Sequence, residues 1–184
     1  MTMITIASLF DRQSSKQTGR VWDLLENECD LTGIRSIPYP HFSWLTGADF
    51  SNILFDDPLV DLSNQINIFE IKTTGLGIFT GESPVIYLPL VKTQKLLTYH
   101  QMIWEMMETR VTELNSYYSP ENWIPHITIG YGDVTIDRLS CAVRNLSKYD
   151  LSLTITIDNI SYLSRIEEEA KIERIVKLKG EPCL

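Results

Sequence analysis

The chain is poor in the residues that most often announce a function. Its 184 residues include only three cysteines and three histidines. Cys29, Cys141 and Cys183 lie far apart without CxxC spacing. That excludes a cysteine-rich metal site and predicts free thiols in a reducing compartment. His41, His100 and His126 do not stand at ligand spacing either, so neither a metal nor another cofactor is expected. No apolar run is long enough to cross a bilayer. The apolar start MTMITIASLF lacks the positive charge and length of a leader. The expectation is a cytoplasmic protein with no membrane partner, acting as a monomer.

Basic charge is also scarce. Lys and Arg number 16 against 24 Asp and Glu, a net charge of −8. Residues 1–92 carry 11 acids and 6 bases, and residues 93–184 carry 13 and 10, so neither half is basic. Cationic contacts to phosphates supply much of the affinity for long nucleic acid. Duplex nucleic acid is therefore not an expected partner, whereas a small nucleotide or a short RNA end is. No low-complexity linker divides the chain, and residues 1–184 read as one domain.

What remains is an ordinary globular composition, 43% apolar and 22% charged. Apolar periodicity predicts a strand at 3–10 and a helix at 18–30, with Val21, Trp22, Leu24, Leu25 and Cys29 on its stripe. A strand at 37–46 and a short helix at 59–66 come after it. Three strands are next, at 67–73, 76–80 and 84–91, separated by TTG and TGESP turns. A long helix is predicted over 92–118, then a strand near 123–131 and a helix at 135–148. The alternating run LSLTITI at 151–157 predicts a strand that forms a hairpin with a last strand in EEEAKIERIVKLKG. Strands mixed with helices outside a regular alternation predict an α+β fold with antiparallel sheets.

Two stretches stand out, PYPHFSWLTG at 38–47 and IPHITIGYG at 124–132. Residues two apart on a strand share a face. His41 and Ser43 therefore share one face with Tyr39, and Phe42 and Trp44 share the other. His126 and Thr128 likewise share a face, with Ile127, Ile129 and Tyr131 pointing toward the core. On the same parity Gly130 and Gly132 would let a ligand approach the backbone. Should the two strands face each other, two imidazoles and two hydroxyls converge. One neutral imidazole then takes a proton from water, and the other, protonated, gives one to a leaving oxygen. The hydroxyls would hold phosphate oxygens. His100, on the apolar stripe of the long helix, reads instead as a packed core residue.

The motifs HFSW at 41–44 and HITI at 126–129 resemble the paired His-x-Thr/Ser strands of the 2H phosphoesterase superfamily, which includes bacterial RNA 2′,3′-cyclic phosphodiesterases labelled 2′-5′ RNA ligases. The resemblance extends to LTG at 45–47 and to the order of elements. It implies a bilobal fold of two pseudo-symmetric lobes. Two antiparallel sheets would face each other across a central cleft, with helices on the outer faces. It also implies metal-independent opening of a 2′,3′-cyclic phosphate. His126 would activate water, His41 would protonate the departing 3′ oxygen, and Ser43 and Thr128 would clamp the phosphate; the two histidines could also exchange roles. From its place on the His41 face, Tyr39 reads either as a platform for a base or as a tyrosine at the edge of the core. The chain departs from many RNA-acting members at GY, 130–131, where they carry an arginine, so a phosphate-pairing cation is not expected there. Alternatives stay open: a related cyclic phosphodiester as the substrate, 2′-5′ ligation by reversal, a nucleotide-binding module of the same fold without turnover, and a structural interaction protein.

Overall fold

The computed structural model describes residues 3–48, 57–166 and 169–180. Within them, nine strands and four helices run in the order β1 (Met3–Leu9), α1 (Arg12–Cys29), β2 (His41–Gly47), α2 (Pro58–Gln65), β3 (Phe69–Lys72), β4 (Gly77–Phe79), β5 (Val85–Pro89), α3 (Gln94–Met107), β6 (His126–Gly130), α4 (Ile136–Leu146), β7 (Thr154–Ile157), β8 (Asn159–Ile166) and β9 (Glu169–Lys177). All the pairings between these strands are antiparallel. The α+β class expected from the sequence is what the chain adopts.

One sheet has the order β2-β1-β8-β9 and another the order β4-β5-β6, while β3 pairs with β7. The end of β3 is tied to the end of β5, through Val91 N–H to the Lys72 carbonyl and Thr74 N–H to the Pro89 carbonyl. Strands β3, β5, β6 and β7 thereby form one continuous body. Helices α2 and α3 pack against the first sheet, through β8 and β9 and through β2 respectively. Helix α1 crosses over to pack on α4, β6 and β7. Strands β2 and β6 each stand at one edge of a sheet and lie beside each other.

Several boundaries differ from the sequence reading. Helix α1 begins at Arg12 rather than 18, because Asp11 caps it by accepting from the backbone N–H groups of Gln13 and Ser14. The long helix ends at Met107 and does not reach 118. Val111 and Leu114 belong instead to a segment that bonds alongside the end of β2, through Ala48 N–H to the Thr112 carbonyl and Asn115 N–H to the Thr46 carbonyl. The predicted hairpin between 151–157 and the last strand is corrected too. β7 pairs with β3, and the partner of β9 is β8, a strand the periodicity did not reveal.

The thiol expectation is overturned. Cys29 at the end of α1 and Cys141 in α4 form a disulfide, with their Cα atoms 5.6 Å apart. The packing of α1 on α4 brings together residues 112 apart in sequence, which spacing alone does not disclose. The inference from free thiols to a reducing compartment loses its support at these two positions; Cys183 lies outside the described residues. Among the described residues no helix is long and apolar enough to cross a membrane.

Candidate active site

The two motif strands show the alternation that the sequence requires. In β2, His41 and Ser43 are half-buried while Phe42 and Trp44 are sealed in the core; in β6, His126 and Thr128 are half-buried while Ile127 and Ile129 are sealed. The likeness goes further than burial. His41 Nδ1 lies 2.6 Å from the carbonyl oxygen of Tyr39, and His126 Nδ1 lies 2.6 Å from that of Ile124. A carbonyl only accepts, so Nδ1 carries the proton in each ring. Nε2 is left to give or take a proton in both. Each motif also contains a bulge at the same place. Ala7 faces Ser43 but Ile6 faces Leu45, which leaves Trp44 as the extra residue of β2. Tyr87 faces Thr128 but Ile86 faces Gly130, so Ile129 is the extra residue of β6. A bulge ends the strict alternation and re-aims the side chains beyond it.

That shift corrects two parity readings. Gly130 does not open the backbone to a ligand, because a Cβ placed there would stand 3.2 Å from Ile86 Cδ1; the glycine serves packing. Tyr131 does not point into the core. It is half-buried and lines a cavity of about 210 Å³ together with Tyr39, His41, Ser43, Thr128 and Arg165. The other cavity walls include Trp22 from α1, Ile34, Ile37 and Tyr118. His126 is not among the lining residues. Its charge nevertheless acts on His41, and its strand neighbour Thr128 opens into the cavity.

The environment of the imidazoles favours their neutral forms. Burial pushes His41 below the ordinary imidazole range against the pull of the Tyr39 carbonyl, and the charge of His126 lowers it further. Burial lowers His126 in the same sense, opposed by the Ile124 carbonyl. The His126 ring meets Phe79 edge-on at 5.0 Å and Tyr87 at 5.1 Å. Tyr87 can lie across β4 because Gly77 has no side chain; a Cβ there would come within 2.3 Å of the ring. His100 behaves as the sequence suggests. It is buried, stacks on Trp123 at 3.7 Å, and burial pushes its pKa down to about 4.

Trp123, three residues before the second motif, had no periodic signature in the sequence. It stacks between His100 and Trp44, and its indole N–H donates to the Ser43 carbonyl at 3.3 Å. One side chain thus connects the approach to β6 with the backbone of the first motif. Arg165 was also missed, since it stands on the unrecognised strand β8. It places a cation in the cavity after all, from a different strand than position 131. Among the described residues no cluster of His, Cys, Asp and Glu is suited to hold a metal ion.

Comparison with known proteins agrees with this architecture. A family model described as the 2′-5′ RNA ligase superfamily matches residues 4–169. The fold is similar to the crystal structure of TT0787 from Thermus thermophilus, with a TM-score of 0.65 and 13% identity over 97% of this chain and 99% of that one. It is similar also to E. coli LigT complexed with 3′-AMP, with a TM-score of 0.63 and 12% identity over the same shares of the two chains. A search of curated proteins by sequence finds no match.

Proposed function

Because the chain belongs to the 2′-5′ RNA ligase superfamily, a branch of the 2H phosphoesterases, we propose that it is a metal-independent phosphodiesterase. Its reaction opens the 2′,3′-cyclic phosphate of a small nucleotide or short RNA end. One observation carries the reading: the two His-x-Ser/Thr pairs repeat the same burial, the same Nδ1–carbonyl clamp and the same bulge. A histidine held only for packing has no need of a freed Nε2 or of a hydroxyl at a fixed offset. That LigT was crystallised with 3′-AMP supports a ligand of nucleotide size.

In the proposed reaction, the neutral Nε2 of one histidine takes a proton from a water as its oxygen bonds to phosphorus. The bond from phosphorus to the 3′ oxygen breaks, and the other histidine, protonated, supplies that oxygen with its proton. The charge of His126 lowers His41, which favours His41 as the base and His126 as the acid. The product is a 2′-phosphate. Ser43 and Thr128 donate to the non-bridging oxygens, where charge is greatest in the transition state. Tyr39, on the His41 side of the cavity, offers a face for the base.

The assay is turnover of nucleoside 2′,3′-cyclic monophosphates in the presence of a chelator, followed across pH. The productive free enzyme holds one neutral and one protonated imidazole, a state most populated between their two pKa values. Both values are depressed from 6.5, so the bell in kcat/KM centres below pH 6.5 and falls as pH rises. An optimum at pH 7.5 or above contradicts the pair as described. Tight binding of the 2′-phosphate without turnover at any pH makes the protein a nucleotide-binding module instead.

A further inference from the structure

We propose that Arg165, held by Tyr131, forms a second phosphate subsite in the cavity, one that recognises the phosphate on the 5′ side of the nucleotide being cleaved. This rests on the reading of the site as a nucleotide phosphodiesterase and deepens it by naming the substrate class. Arg165 lies on β8, directly opposite Met3 of β1, while Ser43 lies opposite Ala7. Their backbones are separated by about 14 Å along the strands and about 10 Å across them. Both side chains line the same cavity, Arg165 from the β8 side and Ser43 from the β2 side. A nucleotide unit with a phosphate at each end suits such a span once the length of the arginine side chain is allowed for.

The intervening floor is polar. Thr5 and Thr46 line the cavity between the two positions, and their hydroxyl oxygens lie 3.2 Å apart. The guanidinium is held in place: its Nη1 donates to the Tyr131 hydroxyl at 3.2 Å, and its Cζ lies 5.4 Å from the centre of that ring. Among the described residues no carboxylate is paired with it, unlike Arg35, Arg138 and Arg174. A planar cation held on a tyrosine and open to a cavity is suited to grip phosphate through two parallel N–H groups. In a protein of net charge −8, one such local cation admits a short anionic end without attracting a long polyanion.

The test is calorimetric binding of three product-like probes that share one base: the nucleoside 2′-monophosphate, the nucleoside 2′,5′-bisphosphate, and a dinucleotide ending in a 2′-phosphate. The second phosphate is expected to tighten binding about ten- to a hundredfold. A gain for the bisphosphate alone identifies a free 5′-phosphate as the ligand, and a gain for the dinucleotide identifies an RNA end. Arg165→Gln is expected to collapse the gain, and Tyr131→Phe, which keeps the ring but frees the guanidinium, to reduce it. Equal affinities in the wild type, or a gain untouched by Arg165→Gln in a folded protein, overturn the subsite while leaving turnover of cyclic monophosphates to support the wider reading. Absence of both binding and turnover removes the two together.

Discussion

Alanine at His41 or at His126 lowers kcat for cyclic phosphate opening by about 10²- to 10⁴-fold, the usual yield of a positioned acid or base. The double variant loses little more than the worse single one. Acid and base act in one concerted displacement, and removing either leaves the other with nothing to complete. Each imidazole is oriented by a backbone carbonyl at 2.6 Å and each shares its strand face with a hydroxyl. Neither ring depends on a carboxylate for that orientation, so substitution removes the proton-transfer group without stranding a buried charge. Steady-state kinetics on the two single variants and the double decides the matter. A loss below tenfold at either histidine removes that residue from the chemistry, and multiplicative losses in the double variant show that the two do not act in one step.

The second large effect is expected at Trp123, which does not line the cavity. Its ring is buried, lies parallel to His100 at 3.7 Å and stacks on Trp44 at 5.8 Å, while its N–H bonds the Ser43 carbonyl. Truncation to alanine opens a void beneath both motifs and costs about 3–5 kcal/mol. For a chain of this size that lowers the melting temperature by roughly 6–20 °C. Phenylalanine keeps a ring in the stack and loses mainly the hydrogen bond, about 1 kcal/mol. If Trp123 sets the spacing of the strands, Trp123→Phe lowers kcat by more than its small stability loss explains, because misplaced groups are costly in a transition state. A melting temperature shifted by less than about 2 °C in Trp123→Ala, measured by scanning calorimetry, contradicts the role given to the stack.

The sequence made the catalytic candidates legible and left their surroundings obscure, for definite reasons. His41, Ser43, His126 and Thr128 stand before the bulges, where period-two alternation still holds, and their shared faces could be read directly. Gly130 and Tyr131 stand after a bulge, and there the same rule gave the wrong side. Strand β8 escaped notice because Asn159 through Ser164 are buried on both of its faces, so no exposed face marks an alternation. With it went Arg165. The overlong helix at 92–118 arose because Val111 and Leu114 continue a helical spacing while packing at the end of β2, against the site of Gly47. Disulfide pairing and the contacts of Trp123 join residues too distant in sequence for any local pattern. Local periodicity therefore found the chemistry, while the cavity depends on long-range packing that it does not encode.

The central claim is that the two imidazoles serve one phosphate. Nitrogen-resolved NMR of the histidine side chains, titrated with a nucleoside 2′-monophosphate, tests it directly. The account predicts that the Nε2 signals of His41 and His126 move together along one binding isotherm, and that alanine at either weakens the response of the other. Independent isotherms, or a response confined to one ring, would contradict it.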